Sequence, residues 1–331
     1  MLNLIELFQS FDSITTTGDE NRFAAFPIPC YEPHRLGKDA QGKPLLLISV
    51  LNVGSQSHRT PVVLENLTVQ YNLNCRVSRP DGTFEEGVFT VVRYTGKNVI
   101  LQDYFLKVMS TIIISIGDRP TQSDVAHAIN QLIELFRAMA EAPRKSVQGL
   151  WAELFLISQT GQPTTLIEAW HTVVEDRYDF AMDDQRIEVK SFSGNVRLHH
   201  FSLEQLHPPE GVKALVASVS VESSQAGISI VDLRERIQIR LGSNLNPLLH
   251  VDKIIALTLG DAWQQASDVR FDERLAEESL VFYETSGIPS VNPNLPSGVS
   301  GVHFRSDLTE CPTTEISNYP EDHRLFKAVL R

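Results

Sequence analysis

A carboxylate and an amine stand two residues apart in Glu188-Val189-Lys190, nine residues after Asp179 in the run Tyr178-Asp179-Phe180-Ala181-Met182-Asp183-Asp184-Gln185-Arg186-Ile187-Glu188-Val189-Lys190. The run reads as strand, polar turn, strand. Glu188 and Lys190 then lie on one face of the second strand, while Ile187 and Val189 pack the other. Two chemistries fit these residues. One is an exposed cross-strand ion pair worth about 0.5 kcal/mol. The other is a divalent-metal site, with Asp179 and Glu188 as hard oxygen ligands and the Lys190 amine beside a water nucleophile or a phosphorane.

Hairpin register separates the two. Residues paired across an antiparallel hairpin point to the same face. Asp179 is odd-numbered whereas Glu188 and Lys190 are even, so a shared face requires an even-length loop. A four-residue loop over Met182 to Gln185 is the first expectation. A two-residue turn at Asp183-Asp184 pairs Asp179 with Glu188, and one at Asp184-Gln185 pairs it with Lys190. A three-residue loop puts Asp179 on the opposite face unless a bulge restores parity. The metal reading also requires the Asp179 and Glu188 carboxylates to lie within roughly 3–5 Å of each other.

A third carboxylate, Glu153, interrupts the apolar segment Leu150-Trp151-Ala152-Glu153-Leu154-Phe155-Leu156-Ile157. Buried, it would need a partner, a proton or a metal; on the polar stripe of a helix it would simply meet water. After the lysine, residues 186–200 hold Arg186, Lys190 and Arg197 against Glu188 alone, a local charge of +2 in a chain of −12. That patch, with His199 and Gln205 nearby, suits a phosphodiester.

Together these residues resemble the core of the PD-(D/E)xK nuclease superfamily: a helix with an acidic residue, a strand ending near Asp, and a strand carrying (D/E)xK. The segment Arg197-x-His199-His200-x-Ser202-x-x-Gln205-Leu206 is similar to the stretch after the lysine in restriction-endonuclease-like members. More narrowly, the chain resembles a bacterial family of PD-(D/E)xK-type proteins found in anti-phage defence islands. Its neighbours there are a GHKL-type ATPase, a helicase-like protein and an abortive-infection phage-resistance protein. The resemblance covers about residues 145–285, and Tyr178 stands where the motif's proline would be, as in many members. It implies Mg²⁺, replaceable by Mn²⁺, on Glu153, Asp179 and Glu188, with Lys190 as the further catalytic residue. It also implies nucleic-acid contacts by Arg197, His199 and Gln205. The implied activity is phosphodiester hydrolysis, of DNA first, in a restriction or anti-phage system. Nucleic acid and the proteins of a defence operon (ATPase, helicase-like) are the implied partners, and a homodimer is compatible.

The elements that must position these residues are legible from period. Pro44 to Val53, Pro61 to Tyr71, Thr83 to Tyr94 and Leu106 to Ile116 are β-branched or apolar runs bounded by Gly, Pro and Asp, and predict an antiparallel sheet or partly open barrel. From Thr121 to Ala140 the period becomes helical, with Thr121, Ser123 or Asp124 as cap, and Pro143 breaks it. A helix over Ser146–Gln159 follows. Strands at Val173–Met182, Arg186–Phe192, Ala214–Glu222 and Leu280–Glu284 alternate with a helix at Ile230–Leu241 and an apolar segment at Lys253–Leu259; Pro289 to Pro296 is loop. The fold class is α+β: an N-terminal β-rich domain (1–120), a connecting helix and linker (121–145), and a restriction-endonuclease-like α/β domain with a mixed central sheet (146–331).

Decoys and composition narrow the alternatives. Gly37 to Lys43 matches GxxxxGK, but Pro44 and a strand follow where the phosphate loop needs Ser or Thr and a helix, so a polar turn is expected. No GxSxG or HExxH occurs, and the adjacent His199 and His200 would point to opposite faces of a strand. Cys30, Cys75 and Cys311 form no CxxC pair, which fits a reducing cytoplasm. No basic, apolar leader opens the chain, and no run of about 18 apolar residues is evident, so no membrane partner is expected. Net charge −12 excludes a non-specific nucleic-acid coat but not a local patch. A second function class therefore stays open: a catalytically silent nucleic-acid-binding or scaffolding subunit of a multi-protein defence complex.

Overall fold

The structure is a computed structural model describing residues 2–11, 22–39, 41–50, 59–78, 84–140, 146–172, 176–242, 244 and 246–330. Residues 51–53, 83, 143 and 173–175, on which parts of the sequence reading fall, lie outside these. The protein is α+β, and the chain divides into two compact units, residues 1–141 and 142–331.

The first unit runs α1 (Leu4–Gln9), β1 (Arg22–Ile28), β2 (Tyr31–Lys38), β3 (Pro44–Ser49), β4 (Val62–Val63), β5 (Leu67–Ser78), β6 (Phe84–Tyr94), α2 (Val99–Ile116) and α3 (Gln122–Ala138). Its sheet is ordered β1-β2-β3-β6-β5-β4, and a parallel pairing of β1 with β5 closes it into a barrel. Leu45 and Leu47 join Phe23, Ala25, Cys75, Val77, Phe89 and Val91 in one core, while Leu46 and Ile48, of opposite parity, are buried as well. Burial on both faces is why β3 reads as an unbroken apolar run. The β1–β2 pairing needs Gly37, where a Cβ would lie 2.5 Å from the Ala24 carbonyl oxygen. The GxxxxGK match is the β2–β3 hairpin: Asp39 Oδ1 accepts the Gln41 and Lys43 N–H groups, and Gly42 takes a positive φ of 77°.

Two sequence expectations fail in this unit. Leu106–Ile116 is the end of helix α2, because Asn98 caps a start at Val99 and burial on most sides erases the apolar period that would have betrayed a helix. By length and mean hydropathy the 18-residue α2 is apolar enough to cross a membrane, although Gln102, Asp103 and Lys107 interrupt its apolar run, and more than half of it is buried. It packs through Phe105 against Tyr94 and Phe136. Pro61–Tyr71 is broken by a turn between β4 and β5, so Val63 is exposed while Leu67 and Val69 are buried. Helix α3, in the stretch expected to connect the two domains, falls within residues 1–141, and Thr121 forms its capping box with Asp124.

The second unit runs α4 (Val147–Gln159), α5 (Pro163–Ala169), β7 (Phe180–Met182), β8 (Gln185–Phe192), β9 (Leu198–Ser202), α6 (Leu203–Leu206), β10 (Lys213–Ser220), β11 (Ser223–Ser229), α7 (Ile230–Leu241), α8 (Asn246–Leu259), α9 (Trp263–Ser267), β12 (Arg270–Phe271), α10 (Glu273–Ser279), β13 (Val281–Glu284), β14 (His303–Asp307) and α11 (Arg324–Ala328). The central sheet, β13-β10-β8-β7, is mixed: β8 and β10 are parallel, and both outer pairings are antiparallel. β9 and β14 form a separate two-stranded ribbon. Of the strand predicted over Val173–Met182, only Phe180–Met182 is strand among the described residues, and the apolar segment at Lys253–Leu259 belongs to helix α8.

Candidate active site

The β7–β8 hairpin places the motif. Phe180 pairs with Ile187, Ala181 with Arg186 and Met182 with Gln185, so the turn is Asp183-Asp184. The loop is even, as the shared face requires, but two residues long rather than four. Asp183 takes a φ of 48°, the left-handed conformation of a primed turn, which Asp tolerates, and the Arg186 guanidinium donates to its carbonyl. Extending the register by one step sets Asp179 opposite Glu188. Beyond Ile187 the edge of β8 has no further β7 residue, and the Asp179 carboxylate fills the gap: its Oδ2 accepts the Val189 N–H at 2.8 Å.

Helix α4, capped by Ser146, brings Glu153 in from the other side. Glu153 is 3% exposed, which removes the solvent-facing reading. Its Oε2 accepts the Trp170 indole N–H at 2.8 Å and lies 3.0 Å from His171 Nε2. Trp170 bridges to Phe180 in a short antiparallel contact, and the His171 N–H donates to the Asp179 carbonyl. The segment after α5 is thereby stitched along β7. Ligand atoms of Glu153, His171 and Asp179 all lie within 4.8 Å of one another, and all three residues are buried.

This trio differs from the carboxylate trio that the motif implies. Glu188 is not in the group: its Oε1 meets Lys190 Nζ at 2.7 Å and Gln205 Nε2 at 2.7 Å. Two residues along one face is close enough for the ammonium to claim the carboxylate, which is the physical reason for the split. Both competing readings of Glu188 and Lys190 thus describe part of the arrangement, since the ion pair exists and stands beside the buried cluster.

Gln205 closes the network. Its Oε1 accepts the Ser202 N–H at 3.1 Å and lies 3.4 Å from Lys190 Nζ, while its Nε2 also donates to the Arg177 carbonyl. Tyr178, in the motif's proline position, donates its hydroxyl to the Glu204 carbonyl and so ties the approach to β7 onto α6; burial pushes its pKa up to about 12. Lys190 Nζ sits 5.3 Å over the Phe201 ring.

Arg197 and His199, assigned to nucleic acid from the sequence, turn inward instead. Arg197 donates to the Ser218 hydroxyl and the Ser279 carbonyl and stacks over Phe192. His199 is 2% exposed with Nε2 2.8 Å from Ser218 Oγ, and burial, with Lys190 and Arg197 nearby, holds its pKa down at about 4. Nη1 and Nη2 of Arg197 are thus engaged with protein groups, and the His199 ring is enclosed. The adjacent His200 does face outward, as strand parity required. Sequence reasoning missed Trp170 and His171; a lone Trp-His pair between a short helix and a strand has no spacing signal.

The donor set can hold a divalent cation. Two carboxylates are hard ligands suited to Mg²⁺ or Mn²⁺, and an imidazole shifts the balance away from Mg²⁺. No curated protein and no solved structure matches the chain. Residues 10–309 match the family described as "Putative PD-(D/E)XK family member, (DUF4420)", a span that takes in most of the first unit as well as the site. The chain therefore belongs to this PD-(D/E)XK family.

Proposed function

We propose that the protein hydrolyses phosphodiester bonds of nucleic acid, DNA first, in a metal-dependent reaction within a cytoplasmic restriction or anti-phage system. The observation that carries this reading is the buried Glu153–His171–Asp179 group beside the Glu188–Lys190 pair in a chain of this family. Glu153 and Asp179 would hold Mg²⁺ or Mn²⁺, with His171 as a nitrogen donor and Glu188 reached through water. A divalent ion there supplies charge to polarise a scissile phosphate and acidity to activate a water.

The chain's own residues supply the rest. Lys190 is the partly exposed ammonium at the edge of the cluster. Drawn from Glu188 towards a phosphate, its ammonium would hold the attacking water or offset charge on the phosphorane. Gln205 fixes Glu188 and Lys190 relative to each other, and Trp170 fixes the Glu153 carboxylate. A plasmid-nicking assay with Mn²⁺, Mg²⁺ or chelator, run with the ATPase and helicase-like proteins present, tests this. Ion-dependent nicking that Lys190→Ala removes is the expected result, and nicking at the wild-type rate in Lys190→Ala would overturn it.

One observation favours a second reading, a silent nucleic-acid-binding or scaffolding subunit. Glu188 is already met by an ammonium and an amide, a closed arrangement that a purely structural site would also adopt. Ion-independent nucleic-acid binding without any nicking would favour it.

A further inference from the structure

Acidic residues make up 41 of 331 positions, yet none occurs between Glu188 and Glu204 or between Glu284 and Asp307. At the average density those two stretches would carry about four or five. The fold brings them together. β9 and β14 pair antiparallel as Leu198–Asp307, His200–Arg305 and Ser202–His303 on the outer face, while His199, Phe201 and Ser306 are buried on the inner one. His200, His303 and Arg305 are exposed, and their side chains make no hydrogen bond or ion pair among the described residues. The one carboxylate on this face, Asp307, stands at the far rung and is engaged with the Thr309 N–H.

The near end of the ribbon adjoins the candidate site. Phe201 on β9 lies under the Lys190 ammonium, and the Ser202 N–H donates to Gln205, which contacts both Glu188 and Lys190. The loop before β14 is pinned to α6 by Leu203 N–H to the Val302 carbonyl, and by His207 Nε2 at 3.0 Å from the Val291 carbonyl. Successive outer rungs are spaced by two residues, or about 7 Å. The two rungs nearest the site, Ser202–His303 and His200–Arg305, carry no acid and form a track that ends at Asp307.

We propose that this track, His303, His200 and Arg305 on the outer face of the β9–β14 ribbon, carries the sugar–phosphate backbone of the nucleic-acid substrate. The proposal rests on the nuclease reading and adds the surface that binds. An anion is the occupant that fits, because an idle guanidinium, two idle imidazole donors and a loop without acids match phosphate, and phosphate contacts set register without reading sequence.

The test is the affinity of the full chain for a labelled short duplex and a labelled single strand, in chelator and across a salt series. The triple variant His200→Ala/His303→Ala/Arg305→Ala should raise Kd about tenfold or more and lower the slope of log affinity against log salt by about 1. Arg305→Glu should weaken binding further, whereas Arg305→Lys should retain most of it. All three positions are exposed, so melting temperature and its response to Mn²⁺ should not move. Wild-type affinity and salt slope in the triple and Arg305→Glu variants, with Lys190→Ala still abolishing cleavage, would overturn the track and spare the nuclease reading. A wild-type chain that neither binds nor cleaves either nucleic acid takes down both.

Discussion

The second unit buries carboxylates in two places and treats them differently. Between α7 and α8, Arg234 and Asp252 form a two-pronged ion pair, Nε to Oδ1 and Nη2 to Oδ2 at 2.8 Å each, with side chains 0% and 1% exposed. Between α4 and β7, the donors that meet Glu153 include an indole and an imidazole, and a second carboxylate, Asp179, lies beside it. The first arrangement carries its own guanidinium and is complete in charge and geometry. The second gathers two acids around one imidazole. Buried ions persist only when paired, neutralised or coordinated, and gathered acids are relieved by a divalent cation. The seam and the cluster are alike in burial and differ in what they are built to admit.

The largest effect should separate chemistry from stability. Asp179→Ala and Lys190→Ala are expected to lower cleavage by about 10³-fold or more, a loss of the size seen when a charge-stabilising donor is removed. Their folding cost should be smaller than that at the seam, by urea titration: about 1.5–3 kcal/mol for the charged Asp179–Val189 hydrogen bond. A similar loss is expected in Lys190→Ala, where Glu188 keeps the Gln205 amide and partly exposed Lys190 is the partner removed. Arg234→Met should do the reverse. Stranding Asp252 costs about 3–5 kcal/mol, while the folded fraction keeps its specific activity. The double variant Arg234→Met/Asp252→Leu should recover most of that loss. If it recovers none, the seam is not a closed ion pair and the contrast with the cluster fails.

How much of this was legible follows from the same contrast. The β7–β8 hairpin was readable because strand parity is strict: an odd Asp179 and an even Glu188 admit only an even loop, and the turn found is Asp183-Asp184. Its length was not readable, since Asp183 tolerates a left-handed φ that the sequence does not announce. Glu153 stood out as a charge in an apolar run. His171 did not, because its role comes from a chain reversal after α5 that sets it beside Asp179. Arg197 and His199 were assigned to nucleic acid from local charge and the family resemblance, neither of which announces that Ser218 and Ser279 on neighbouring elements engage their side chains. Helix α2 was misread because isoleucine-rich burial looks the same in a strand and in an enclosed helix.

Ion binding sharpens the comparison next. The melting temperature of the wild type should rise with Mn²⁺, and less with Mg²⁺ given the imidazole in the donor set. At an ion concentration about 100 times Kd the stabilisation is about 2.7 kcal/mol. Glu153→Gln/Asp179→Asn should remove the rise, while Asp252→Asn should lower the baseline and keep it. Equal rises in the wild type and the Glu153→Gln/Asp179→Asn variant, by scanning calorimetry, would remove the metal site.

His199 supplies the smallest effect and the third way to bury a titratable group, which is to keep it neutral. Its Nε2 lies 2.8 Å from the Ser218 hydroxyl, which in turn accepts from Arg197, so a proton on the ring would disrupt a filled network beside two cations. Burial first, then Lys190 and Arg197, depresses its pKa from 6.5 to about 4. Above pH 6.5 neither the folded nor the unfolded chain protonates this group, and its neutral form carries no penalty. As pH falls from 6.5 towards 4, the unfolded chain takes a proton that the folded chain refuses, and stability drops by about 1.4 kcal/mol per pH unit. From pH 6.5 to 5 that amounts to about 2 kcal/mol. The carboxylates with lowered pKa, Asp124, Asp184, Asp232 and Asp307, titrate below this window. Burial lowers His34 and His250 as well, and their share of the slope is common to the wild type and a His199 variant, so it cancels in the comparison. His199→Gln retains a hydrogen-bonding side chain without the titration, so its urea midpoint should be flatter between pH 6.5 and 5 than that of the wild type. The same slope in both proteins would mean that His199 is reachable by protons in the folded state. The inner face of the β9–β14 ribbon would then be open to solvent, and His199 could no longer be separated from the outward-facing His200.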